Sequence, residues 1–185
     1  MAPQIIFRTW GIDRALWNYF VVLFWKNSGQ QALLTMQKNL SDVMPVLARH
    51  NGEWTGDYIY FSSQGEILDR HKSHLICRIT DEEKYPYYQQ NTYTWNDGRN
   101  EQFELHATYK QARIWFDTDR IQGSCWEIDS KTLMLNWTRQ DIPKSYFYEM
   151  IQINEASDTR SRVWHWFEND VLVKRVCISE TKVIT

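Results

Sequence analysis

The stretch Tyr87 to Trp95 (YYQQNTYTW) holds the residues whose types and spacing best suit chemistry. In a β-strand alternate side chains point to opposite faces. One face then carries Tyr87, Gln89, Asn91, Tyr93 and Trp95, and the other Tyr88, Gln90, Thr92 and Thr94. The first face is large, aromatic and able to hydrogen-bond. A core built only for packing would place Leu, Ile and Val there, because a buried amide without a partner costs about 1–3 kcal/mol. A ligand or bound water would supply the partners. The expectation is a cavity in which Gln89, Asn91 and Tyr93 act by hydrogen bonding or proton transfer, with Tyr87 and Trp95 holding an apolar molecule.

Other alternating runs extend the same lining. Phe103 and Leu105 alternate with Glu104 and His106, so the apolar pair should face inward. Leu133, Leu135 and Trp137 share a face, as do Tyr146, Tyr148 and Met150; Trp137 and Tyr148 are expected on strands facing Asn91. Trp164 and Trp166 oppose Val163, His165 and Phe167. Both sets are apolar, so alternation leaves their direction open, and the two tryptophans are the ligand-facing candidates. Glu127 and Glu149 are either buried carboxylates or groups that meet solvent or Arg.

The remaining constellations point away from metal and nucleotide chemistry. His71 and His74 are spaced three apart, which on a strand puts them on opposite faces, and no metal site is expected. Asp117-Thr118-Asp119-Arg120 has the look of a carboxylate pair for a divalent ion, but without an α/β sheet to carry that chemistry it reads as a tight turn capped by Asp side chains, with an Asp–Arg pair. No Gly-rich phosphate loop or nucleophile elbow occurs. Cys77, Cys125 and Cys177 lack metal or disulfide spacing, which suits a reducing, cytoplasmic setting. A net charge of −2 without a basic stripe excludes nucleic acid as the main partner.

These residues need elements to hold them. With 10 Trp, 10 Tyr and 8 Phe against 7 Gly and 4 Pro, the composition favours pleated, half-buried strands. From Glu53 onward short alternating runs are separated by turn residues. Strands are expected near 53–62, 68–79, 87–95, 102–110, 112–117, 122–128, 132–139, 145–154, 161–168 and 171–182. Such a meander closes into a barrel because closure removes exposed edges. The fold expected is thus all-β: an antiparallel, up-and-down barrel of 8–10 strands over 51–185. An N-terminal helical extension over 1–50 packs on it, with helices over 13–25, 30–39 and 43–50. The apolar run Leu16 to Trp25 is too short to span a membrane and reads as a helix on the barrel, with membrane-surface contact as the alternative.

Gly52-Glu53-Trp54, directly before the meander, resembles the glycine-any-tryptophan signature that opens lipocalin-like barrels. More broadly, Pro45 to Glu180 resembles an uncharacterised lipocalin-like domain family of the calycin superfamily, through NGEWTGDY, TYTWNDGR, IWFDTDRIQG, YEMIQI and RVWHWF. The resemblance implies a calycin barrel in which Trp54 plugs the closed end and an Arg near the final strand, Arg175, packs over it. It implies no particular activity.

The leading functional expectation is an aromatic-lined barrel that binds a hydrophobic small molecule. That barrel would template a cofactor-free cyclisation or isomerisation of a natural-product intermediate, as a secondary-metabolite cyclase or isomerase does. The alternatives are a non-catalytic carrier, a haem-binding barrel using His165 or His71, and a chromophore-lyase-like barrel. Oligomeric state is left open.

Overall fold

The alternation that begins at Gly52 is realised as ten antiparallel strands in a computed structural model, which describes residues 39–184. They are β1 (Gly52–Ser62), β2 (Ile67–Ile79), β3 (Tyr87–Thr94), β4 (Asn100–Lys110) and β5 (Arg113–Asp117), followed by β6 (Ile121–Glu127), β7 (Thr132–Arg139), β8 (Ser145–Ile153), β9 (Thr159–Glu168) and β10 (Val171–Lys182). Each strand pairs with its chain neighbours, and β10 returns to pair with β1, Trp54 opposite Lys182 and Tyr58 opposite Ile178. The ring is therefore closed, as the meander predicts, and no strand keeps a free edge.

Local sequence explains the joints. Asn169 and Asp170 both take positive φ (48° and 64°) to make the two-residue turn between β9 and β10, a conformation these residue types tolerate. At Gly123 an added Cβ would lie 2.2 Å from the backbone oxygen of Asn136 on β7, so the strands approach closely only because the residue has no side chain.

Among the described residues, two short helices stand before the barrel, α1 (Leu40–Val43) and α2 (Pro45–Arg49). The helix expected over 43–50 is thus broken at Met44, whose φ of −133° is non-helical. Pro45 accounts for this, because a proline's ring disfavours the helical conformation in the residue before it. Glu127, at the end of β6, accepts the backbone N–H groups of Val46 and Leu47 at 2.7 and 2.9 Å. This carboxylate at the helix start holds α2 across one end of the barrel. Arg49 fixes the other side, donating to the backbone oxygens of Ser130 and Asn154. The helices expected before Asn39, and with them the apolar run 16–25, lie outside the described residues.

Candidate functional site

Inward-facing residues leave a cavity of about 160 Å³, close to the ~150 Å³ apolar cavity that accepts a benzene. Leu47 and His50 line it at the helix-covered end, together with Arg160 of β9. Arg120, Arg139 and Trp166 line the opposite end. Between them the wall is aromatic. Trp137 of β7 and Phe147 of β8 stack with centroids 3.8 Å apart and planes at 2°, and Trp164 meets both edge-on at 5.9 and 5.6 Å.

One wall carries the amides of β3. Tyr87 Oη donates to Gln89 Oε1 at 2.8 Å, and Gln89 Nε2 donates to Asn91 Oδ1 at 2.7 Å. The two amides are thereby oriented along the strand, and Asn91 Nδ2 has no hydrogen-bond partner among the described residues. Tyr93 Oη lies 3.5 Å from Tyr58 Oη, as donor. Burial pushes the Tyr58, Tyr87 and Tyr93 hydroxyls above the ordinary tyrosine range, so all three stay protonated.

Beneath the cavity runs a buried ionic network. Arg160 Nε donates to Glu180 Oε2. Arg162 meets Glu149 Oε1 through Nε at 2.6 Å, Tyr58 Oη through Nη1 at 2.9 Å, and Glu180 Oε1 at 3.4 Å. Burial alone would raise the Glu180 carboxyl, but Arg160 and Arg162 outweigh it and hold it below its usual range. The two arginines and two carboxylates are balanced in charge. Arg160 Nη1 also lies 3.3 Å from His50 Nδ1. A guanidinium only donates, so Nδ1 is the acceptor. Burial, then the positive charges of Arg160 and Arg162, hold His50 down to about 2. The ring is neutral, its proton sits on Nε2, and among the described residues that atom has no partner; neither has Trp166 Nε1.

Most sequence-predicted positions meet in this cavity. Tyr87, Gln89, Asn91 and Tyr93 line it from β3, and Phe103 and Leu105 from β4. Trp137, Trp164 and Trp166 line it from β7 and β9, which settles the direction of β9: Val163 is exposed on the outer face. Trp54 is fully buried, its indole N–H donating to His50 O at 2.9 Å.

Three placements differ from expectation. Tyr148 is 49% exposed on the outer face of β8, because that strand turns Phe147 and Glu149 inward, where Arg162 receives the carboxylate. Trp95 does not line the cavity: β3 ends at Thr94, and the indole donates to Asp69 Oδ2 at 2.9 Å, between His71 and Arg99. Arg175 does not cover Trp54. It lies opposite Phe61 and donates to Ser63 O, seven residues along β10 from Lys182, the partner of Trp54. That separation is about 23 Å at the usual strand rise. Arg160 takes the place instead, its Cζ 4.3 Å from the Trp54 ring centroid.

The histidines separate by face. His71 is buried among Tyr58, Tyr93 and Trp95, with both ring nitrogens unpartnered, whereas His74 turns outward to Glu53. His165 lies against Phe167, which is not among the cavity-lining residues. The 117–120 segment is a turn held by the Thr118 hydroxyl, which accepts from Arg120 N and Ile121 N, and it delivers Arg120 over the Phe103 ring.

Sequence reasoning missed His50, Tyr58, Arg120, Arg139 and the pair Arg160 and Arg162. Arg160 and Arg162 share the parity of Trp164 and Trp166, a signal that was available once those tryptophans faced inward.

The family model described as "Domain of unknown function (DUF3598), N-terminal" matches residues 41–185. A DUF3598-family protein of unknown function from Nostoc punctiforme is similar in structure, with a TM-score of 0.60 and 18% identity over 74% of this chain and 49% of that one. The chain thus spans about half the length of that relative. The S-type phycobiliprotein lyase of Guillardia theta gives a TM-score of 0.59 and 11% identity, covering 80% of this chain and 95% of the lyase. Rv2717c from M. tuberculosis gives 0.54 and 9%, covering 77% and 98%. No curated protein matches in sequence.

Proposed function

This chain belongs to the DUF3598 family, and we propose that its barrel binds a small, flat, predominantly apolar molecule in the central cavity. The observation that carries the reading is the cavity itself: about 160 Å³, with the Trp137–Phe147 stack and Trp164 on its wall and its amides and charged groups largely bonded to one another. Aromatic side chains along the wall offer a planar ligand large dispersion contact, and oriented amides fix its position.

Binding fits the lining better than acid–base turnover. A general acid or base works best with a pKa near the operating pH. Here His50 is held at about 2, burial raises the tyrosines, and Glu149 and Glu180 are tied to arginines. A templated cyclisation or isomerisation would have to run on orientation alone, with Gln89, Asn91 and Tyr93 as positioning groups. The likeness to a phycobiliprotein lyase supports a second reading, in which the bound molecule is a chromophore passed on to another protein. The ring-sized volume favours the first.

Titration of the full chain with indane, a compact apolar bicycle, tests the proposal through tryptophan fluorescence and amide-resolved nuclear magnetic resonance. Saturable binding is expected, with shifts at residues of β3, β7 and β9. Cys125→Phe, which fills the cavity from β6, should weaken it at least tenfold. Absence of binding, or binding indifferent to Cys125→Phe, would overturn the reading.

A further inference from the structure

The polar groups around the cavity are unequally used. Most amide and carboxylate acceptors are engaged: Gln89 Oε1 receives Tyr87, Asn91 Oδ1 receives Gln89, Glu149 Oε1 receives Arg162, and the two oxygens of Glu180 receive Arg160 and Arg162. Donors are left over. His50 Nε2 and Trp166 Nε1 are buried with no partner, and Asn91 Nδ2 has none among the described residues. All three belong to residues that line the same cavity, at its helix-covered end, on its wall and at its opposite end. Buried polar groups in folded proteins are nearly always paired, so three spare N–H donors around one cavity describe a partner rich in acceptors.

The charge of that partner follows from the network beneath. Arg160 and Arg162 are each matched by a carboxylate, so the deep end offers no free positive charge to an anion. An anionic group placed there would lie near Glu149 and Glu180 and be repelled. At the opposite end Arg139 is bound to Asp141, while Arg120, with no carboxylate partner among the described residues, rests on the Phe103 ring.

We infer that the ligand is a neutral carbonyl compound, an aromatic ketone or quinone-like molecule, whose oxygens accept from Asn91 Nδ2, His50 Nε2 or Trp166 Nε1. The inference rests on the apolar-cavity reading above and adds the chemical class. A ketone oxygen can take one of these donors, and the two oxygens of a quinone can take two, while the ring lies against the Trp137–Phe147 pair.

Three probes of one shape separate the possibilities: 1-indanone, which has the carbonyl, indane, which lacks it, and indane-1-carboxylate, which is charged. Each is titrated into the full chain, following the Asn91 side-chain amide and Trp166 indole N–H resonances. The expected result is indanone binding about tenfold more tightly than indane, the ratio that one to two net hydrogen bonds supply. Downfield shifts of those N–H signals should appear with indanone alone. Asn91→Leu and Trp166→Phe each remove a donor while keeping apolar bulk, and at least one of them should shrink the ratio severalfold without weakening indane. Equal affinity for indanone and indane would overturn the inference and leave the apolar cavity standing. Tightest binding by the carboxylate would also overturn it, shifting recognition to Arg120. No binding by any probe would defeat the cavity reading as well.

Discussion

Arg160 sits over the indole of Trp54 with its Cζ 4.3 Å from the ring centroid, while its Nε is bonded to Glu180. One side chain thus joins the tryptophan plug to the buried ion pairs. Trp54→Ala should destabilise the barrel by about 3–5 kcal/mol, the usual loss for a buried aromatic. Arg160→Met should cost a similar ~3–5 kcal/mol, because Glu180 would keep only Arg162 at 3.4 Å. Denaturant unfolding at neutral pH checks both. A loss below ~1 kcal/mol would mean that the plug is supported from elsewhere.

Acid should weaken the fold well above the carboxylate range. The folded chain refuses a proton at His50 until about pH 2, whereas the unfolded chain takes one near 6.5. The unfolded state therefore binds more protons as pH falls below 6.5, and stability declines by up to ~1.4 kcal/mol per pH unit from this group. His71 and His165 are lowered too, by burial first, and act with the same sign. Glu180, also lowered, adds its loss only as pH falls below about 4.5. Unfolding free energies at pH 7, 6 and 5 should show the slope, and His50→Gln should reduce it by about one proton. An unchanged slope in that variant would show that His50 is not the group responsible.

Neighbouring residues on β8 should respond in opposite ways. Phe147, stacked on Trp137 inside the barrel, should lose about 3–5 kcal/mol on replacement by Ala. Tyr148, on the outer face, should change by less than ~0.5 kcal/mol as Ser and leave indane affinity intact. A large effect of Tyr148→Ser would contradict the inward assignment of the Phe147 face.

The Arg162–Glu149 pair should matter more broken than absent. Glu149→Leu alone leaves a buried guanidinium short of a partner, at about 3–5 kcal/mol. Adding Arg162→Met to it should recover part of that loss. If the double variant is the less stable of the two, Arg162 is held mainly by Tyr58 and Glu180.

The fold was readable because nearly every strand alternates and is bounded by turn residues; ends differ by one or two positions, as at Thr94 and Ile153. On β3 the faces differ sharply in size, so Gln89, Asn91 and Tyr93 were assigned inward from their own segment. On β8 that logic misled. Tyr146, Tyr148 and Met150 form an uncharged set, yet Glu149 faces inward with Phe147 and Ile151 because its partner Arg162 stands on the adjacent strand β9. Such a pairing depends on register between strands, which alternation within one strand does not encode. Trp95 failed for a simpler reason: parity holds only while the strand lasts. The resemblance asks for an Arg near the final strand, which points to Arg175; register with Trp54, which brings Arg160 there through Glu180, is not legible in one strand.

The closure of β10 onto β1 has a kinetic consequence. Every other pairing joins strands adjacent in the chain, so those hairpins can form early and locally. The last seam must bring together opposite ends of the barrel sequence, at a loop-closure entropy that only the completed core offsets. Until it shuts, the sheet has two naked margins, β1 with Thr55 to Phe61 and β10 with Arg175 to Thr181. Misassembly during folding should concentrate there, as strand exchange between unfinished barrels, a hazard the finished ring removes.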